Sequence, residues 1–296
     1  MVRVSEQSRL TAHMRYLSTV TERMDRVQQQ LATGRRIERA SDDPAGASLA
    51  LEHRTSIAFE AQMRRNLENG VAFMNVTEAS LSSVTDALQR VRELTTQAAN
   101  DTLSNTDRQS IAQEVNQIIE HLAQVANSEF GGAYVFSGHA TQTPAYLVTG
   151  SPPTAVTFQG DAGERVRRIS RQDTVAVNVT GAAVFGSIFS DLITLRDNLD
   201  LGASAATISS SLAAIDGGID RTLVARAEIG SRINRFESAL QQSEQTDTNL
   251  QELRSGIEET DLSEMVVRLT SEQNALQAAL AAISSASGLS LLDYLR

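Results

Sequence analysis

Residues 33–47 read "TGRRIERASDDPAGA", and how this stretch is read decides the fold. Before it, Leu10, Met14, Leu17, Val20, Met24, Val27 and Leu31 fall at steps of four and three, a narrow apolar stripe with coiled-coil rhythm. After it, apolar positions recur as Ile57, Ala61, Leu67, Val71, Met74, Leu81, Val84, Leu88 and Val91, which predicts a second helix. The stretch between carries its own stop and start signals. Gly34 offers a helix stop, Asp42 and Asp43 are good caps with favourable charge at a helix N-terminus, and Pro44 suits the first helical turn, where its missing N–H would be unpaired anyway. The residue before a proline is pushed out of the helical region, so a helix arriving from Leu31 breaks and restarts near Pro44. "TGRRIERASDD" is read as a non-helical spoke between two helices.

The same logic extends along the chain. Val115, Ile118, Leu122 and Val125 continue the apolar pattern after the polar break "ANDTLSNTDRQS", whose Ser104 to Asp107 are capping residues, so an antiparallel turn is expected there. Leu212, Ile215, Ile219, Leu223, Ile229, Ile233, Phe236 and Leu240 predict a return helix beside the first long one. At the far end Leu262, Val266, Leu269, Leu276, Leu280 and Ile283 repeat the terminal rhythm, with Gln273 in the skipped position, and the chain closes on Leu289, Leu291, Leu292, Tyr294 and Leu295. Phe130 to about Phe185 differs: β-branched and aromatic runs, glycine turns and three of the four prolines mark a small β-rich insertion, with "GDAGE" at Gly160 to Glu164 as a hairpin turn.

The expected fold is therefore mainly α: a long antiparallel helical rod with paired terminal coiled-coil helices and a small β-rich insertion in mid-chain. Residues 1–40 and 255–296 form the terminal segments, 41–130 and 188–254 the rod, and 131–187 the insertion. Charge supports the terminal pairing. Residues 1–40 carry eight Arg against four acids and residues 250–296 three Arg against seven acids, balances of +4 and -4. Surface pairs contribute only about 0–1 kcal/mol each, so the stripes drive packing and the charges choose partners.

Composition excludes several chemistries. No Cys means no disulfide, thiolate nucleophile or thiolate metal site. Every basic residue is Arg, which removes Schiff-base lysines and the phosphate-loop lysine. A net charge of -10 argues against nucleic-acid binding, no stretch reaches the roughly 18 apolar residues of a membrane span, and "MVRVSEQSRL" lacks the apolar core of a signal peptide. His13, His53, His121 and His139 are scattered without metal-ligand spacing. No catalytic, cofactor or metal residues are inferred, so an enzyme is not expected.

Family resemblance enters at the termini. "LATGRRIERASDDPAGASLALEHR" at Leu31 to Arg54, "LQRVRELTTQAAN" at Leu88 to Asn100 and "QNALQAALAAISSASGLSLLDYLR" resemble the conserved segments of bacterial flagellins and their relatives. Within that family "FGGAYVFSGHATQTPAY", "FQGDAGERVRRI" and "VNVTGAAVFG" resemble the hook-associated members at the hook-filament junction rather than filament flagellin, which remains the alternative; a soluble coiled-coil signalling rod is a more distant one. The resemblance implies a structural subunit of the flagellum that self-assembles through its terminal helices and lacks catalysis. Its partners would be copies of itself in a ring or tube, a neighbouring hook-associated protein and flagellin, and a cytoplasmic export chaperone on the C-terminal region, with no nucleic acid and no membrane. Localisation would be extracellular, after export without a cleavable signal peptide. Carried onto this chain, the assembly interface is expected at Leu10, Met14, Leu17, Met24, Leu31, Leu269, Leu276, Leu280, Ile283, Leu291, Leu292 and Leu295; Gly34, Asp42, Asp43 and Pro44 form the hinge, whose arginines and aspartates would face neighbouring subunits; and Arg90 and Leu94 lie where the family packs its rod.

Overall fold

The computed structural model describes the backbone of residues 2–294 and the side chains of residues 8 and 11–284. Helices dominate: α1 (Val2–Thr33), α2 (Pro44–Ala98), α3 (Asn105–Ala126), α4 (Gly181–Phe185), α5 (Ile188–Asp200), α6 (Ala205–Ser210), α7 (Leu212–Glu258) and α8 (Leu262–Tyr294). Three antiparallel two-stranded sheets lie between α3 and α4 in sequence: β1 (Glu129–Phe130) with β2 (Ala133–Tyr134), β3 (Tyr146–Thr149) with β4 (Ala155–Phe158), and β5 (Val166–Arg168) with β6 (Thr174–Ala176). By internal contacts the chain divides into a terminal unit, residues 1–59 with 246–296, and a central unit, residues 60–245. The division falls within α2 and α7.

In the central unit, α2 and α7 run antiparallel. Glu60 accepts a hydrogen bond from Ser243 (2.8 Å), Glu78 pairs with Arg226 (2.8 Å) and Arg92 with Asp216 (2.8 Å), one number rising as the other falls. The buried face of α7 is Ile215, Gly218, Thr222, Ala225, Ile229, Phe236 and Ser243, a three-four rhythm built largely from small residues. This corrects the expected stripe: Leu223 is 45% exposed, because counting only large apolar residues overlooks Gly218, Thr222 and Ala225 on the close-packed side. Opposite Phe236, which is fully buried, α2 carries Gly70; a Cβ there would lie 2.4 Å from the ring, so only glycine lets the ring seat.

Helix α3 returns along α2 as its cap signals require. The Ser104 hydroxyl accepts from the Asp107 amide (3.2 Å) while the Asp107 carboxylate accepts from the Ser104 amide (3.3 Å). Arg108, buried just beyond, donates to the carbonyls of Ala203 (3.0 Å) and Asn100 (3.3 Å), tying the turn to the loop before α6.

Isolated two-stranded ribbons are marginal in water, and the insertion is anchored by an aromatic cluster. Phe136 meets Phe185 (5.4 Å between centroids), and Tyr146 meets Phe158, Phe185 and Phe189 (5.3, 5.3 and 5.0 Å). Burial pushes the Tyr146 phenol well above its ordinary pKa. Two expectations change here. Gly181–Phe185 within the expected β segment is a helical turn, because it delivers Phe185 to this cluster. "GDAGE" is a loop between sheets rather than a hairpin turn, closed by the Asp161 carboxylate, which accepts from the amides of His139 (2.7 Å) and Gly163 (2.8 Å); those bonds hold its pKa below the ordinary value.

Candidate assembly interface

The terminal unit is built on α1 and α8, packed antiparallel. Arg35 and Glu259 form an antiparallel bridge and Arg23 lies 3.7 Å from Glu272, so the partner number falls as the chain number rises. The inward face of α1 is His13, Leu17, Val20, Met24, Val27 and Leu31; that of α8 is Met265, Leu269, Glu272, Leu276, Ala279 and Ile283. Both advance four, three, four, three, four, the step that keeps one seam facing a partner helix. Val20 is completely buried at its centre.

This seam is offset from the expected stripe in an informative way. Leu17, Met24, Leu31, Leu269, Leu276 and Ile283 lie on it, half-buried. Met14 is 61% exposed and Leu280 51% exposed, their places taken by His13 and Ala279. Leu262 and Val266 are exposed as well, with Met265 in the seam. The cause is geometric: a four-three repeat admits either neighbour at each step, and apolarity selects Met14 and Leu280 while packing selects the residues beside them. The antiparallel pairing brings Met14 level with Leu280. Leu10, Leu291, Leu292 and Leu295 lie outside the described side chains.

The hinge is a lock between the two helix breaks. After Thr33, Gly34 takes φ +68°, its amide donates to the Gln30 carbonyl (2.8 Å), and the chain turns out of α1. Its carbonyl accepts from the Thr260 amide (3.1 Å), and the Arg36 amide donates to the Glu258 carbonyl (2.7 Å), so residues 34–36 and 258–260 form a short antiparallel ladder. The Arg36 guanidinium donates to the Ile257 carbonyl (2.9 Å) and pairs with Asp43 (3.2 Å). Asp43 caps α2, accepting from the Gly46 amide (2.9 Å) ahead of Pro44, while Asp42 closes the preceding turn on the amides of Arg39 (2.9 Å) and Glu38 (3.2 Å). Those amide bonds, with Arg36 at Asp43, hold both carboxyls below their ordinary pKa. Arg54 of α2 pairs with the buried Glu258 carboxylate at 2.7 Å.

Arg36, Asp42 and Asp43 are spent on contacts within the chain; Arg35 and Arg39 remain exposed. The break at 259–261 escaped the apolar pattern. Its signal was present in "TDLSE": Asp261 accepts from the amides of Ser263 (2.8 Å) and Glu264 (3.3 Å) and starts α8. In the central unit Leu94 is buried by its own chain, so of that pair only Arg90 faces outward, paired with Glu114 (2.8 Å) and Glu93 (3.1 Å), carboxylates that raise its pKa. Among the described residues no group of three or more His, Asp or Glu is placed to hold a metal ion, and no helix is long and apolar enough to cross a membrane.

Paired terminal helices, joined through laddered breaks to longer helices, define a mainly helical structural protein. Comparison with known proteins gives the family. Residues 4–141 match the bacterial flagellin N-terminal helical region and residues 212–295 the bacterial flagellin C-terminal helical region. The chain is 30% identical to the flagellar filament 30.7 kDa core protein of Treponema maltophilum, over 87% of this chain and 86% of that one. It is 25% identical to flagellar hook-associated protein 3 of Escherichia coli K12 over 99% of each chain. In fold it is similar to a putative flagellar hook-associated protein from Vibrio parahaemolyticus, with TM-score 0.68 and 22% identity over 74% of this chain and 100% of that one. The chain belongs to the bacterial flagellin family, and it is a structural protein of the flagellum.

Proposed function

We propose that this chain joins hook to filament, assembling with copies of itself through the terminal helices. The observation that carries the assembly reading is the apolar surface left outside the seam. Met14, Tyr16, Leu262, Val266, Val267 and Leu280 are exposed on α1 and α8 after the two helices have paired. A coiled coil with its own seam satisfied has no further use for six large apolar groups; a neighbouring copy that covers them gains about 1.5–3 kcal/mol for each side chain fully buried. The exposed Arg35 and Arg39 add charge at the rim of the same unit.

The junction reading rests on similarity to hook-associated protein 3 over nearly the whole of both chains. One observation favours filament flagellin instead: the higher identity to the Treponema filament core protein. The positions separate in the organelle. A tagged copy imaged by immunogold electron microscopy is expected as a single narrow band between hook and filament. Label along the whole filament would assign the chain to the filament itself. Export without a cleaved leader, with a chaperone on the C-terminal region beforehand, belongs to the same proposal; it predicts that the mature protein keeps the N-terminal sequence encoded for it.

A further inference from the structure

The central unit contains a cleft lined by two arginines that form no ion pair among the described residues. Arg165, immediately before β5, and Arg167 within it line the same cleft, while Val166 between them is 59% exposed. The cleft is also lined by Asn66, Asn69, Gly70 and Phe73, positions that share one side of α2. With Phe130 and Val177 these residues enclose about 280 Å³.

Arg165 is half-buried and Arg167 is exposed. No Asp or Glu lines the cleft, and neither Arg165 nor Arg167 forms an ion pair among the described residues. Arg165 packs its guanidinium 4.8 Å from the centroid of Phe73, which covers one face of the cation, and Phe73 in turn meets Phe130 edge-on at 5.9 Å. Arg165 Nη1 is buried and has no hydrogen-bond acceptor. Burial and then the Arg167 charge lower its pKa, the direction expected of a cation held without a counter-charge. Leaving a charged donor unpaired in this way is costly. In a chain of net charge -10, carboxylates are abundant, and none has been placed here.

We propose that the cleft binds a small organic anion, a carboxylate or phosphate on an apolar body, with Arg165 and Arg167 taking the oxyanion and the Phe73–Phe130 pair flanking the body. The planar guanidinium fork matches such oxyanions in a bidentate geometry that a single water does not reproduce. Asn66 spends its carbonyl oxygen on Gln62 (3.1 Å), leaving its amide hydrogens to donate. The enclosed volume limits the guest to a small molecule.

The test is a titration of the full chain, followed by the arginine side-chain N–H resonances in NMR. Benzoate and phenyl phosphate are the probes; inorganic phosphate and benzyl alcohol are the bare-anion and neutral controls. Saturable one-to-one perturbation of the Arg165 resonance by the two probes is expected, and the exposed substitution Arg167→Gln should weaken it at least about tenfold. Asn69→Ala, on the exposed side of α2, supplies a second variant and should weaken binding by a smaller factor. Non-saturating shifts, equal affinity for benzyl alcohol, or unchanged affinity in both variants would overturn the site. Inorganic phosphate binding as tightly as phenyl phosphate would overturn the organic guest.

Discussion

Gly70→Ala tests whether the contact between α2 and α7 is as close as it looks. A Cβ at residue 70 would lie 2.4 Å from Phe236 Cε1 and 2.9 Å from Cδ1, well inside carbon–carbon contact distance, so the ring must move by about 1 Å. Phe236 is completely buried, and close-packed interiors resist such a shift. Overpacking of this kind costs about 1–3 kcal/mol, against a gain of about 0.5–1 kcal/mol for replacing glycine with alanine inside a helix. A net loss of about 0–2.5 kcal/mol, centred at about 1 kcal/mol, is expected. Gly230→Ala on α7 is the control: a Cβ there meets nothing within 4 Å, so only the helical gain of about 0.5–1 kcal/mol should remain. Urea unfolding followed by helical circular dichroism measures both, and the two substitutions should differ in sign. Adding Phe236→Leu to Gly70→Ala should recover part of the loss, with a coupling energy that a double-mutant cycle reads directly. Equal stabilisation by the two alanines would refute the close approach.

Two further predictions concern the lock at the helix breaks. Arg54→Ala leaves the buried Glu258 carboxylate without its 2.7 Å partner and should destabilise the terminal unit by about 1–2 kcal/mol, scaled down from a fully buried pair because Arg54 is half-exposed; faster amide hydrogen exchange at Arg36 and Thr260 would show it, and unchanged exchange would count against the ladder. Asp43 has a folded pKa below its ordinary 3.8, so its contribution is present above about that pH and is lost as pH falls through the lowered value. Protection of the Gly46 amide, measured against its intrinsic exchange rate at each pH, should fall over that acid range in the native chain, and Asp43→Ala should show the lowered protection already at neutral pH.

How much of this was legible in the sequence depended on the kind of signal. Helix punctuation read well where a residue has a single conformational use: Gly34 at positive φ, Pro44 in a first turn, and Ser104 with Asp107 as a reciprocal cap all act through local backbone geometry. Seams read less well, because apolarity does not distinguish adjacent positions of a four-three repeat. Met14 and Leu280 look like core residues for the same reason that they suit a second interface. Small residues hid the α7 face, where Gly218, Thr222 and Ala225 permit a close approach that no hydrophobic count registers. The hinge charges needed three dimensions: nothing in "TGRRIERASDD" says that Arg36 reaches Ile257 and Glu258, more than two hundred residues away in sequence. The Arg165–Arg167 cleft was equally silent, since its meaning lies in the absence of Asp and Glu among the described residues that line it.

The proposed interface is tested most directly by the incorporation of a chain carrying Met14→Gln and Leu280→Gln. Both side chains lie off the seam, so α1 and α8 should still pair and the helical circular dichroism of the purified chain should be unchanged. In cells lacking the native copy, quantitative immunoblotting of isolated flagella should show incorporation falling at least about tenfold, the consequence of losing roughly 1–2 kcal/mol of burial at each of two positions. A folded double variant that enters flagella at the level of the native chain would contradict assembly through this surface.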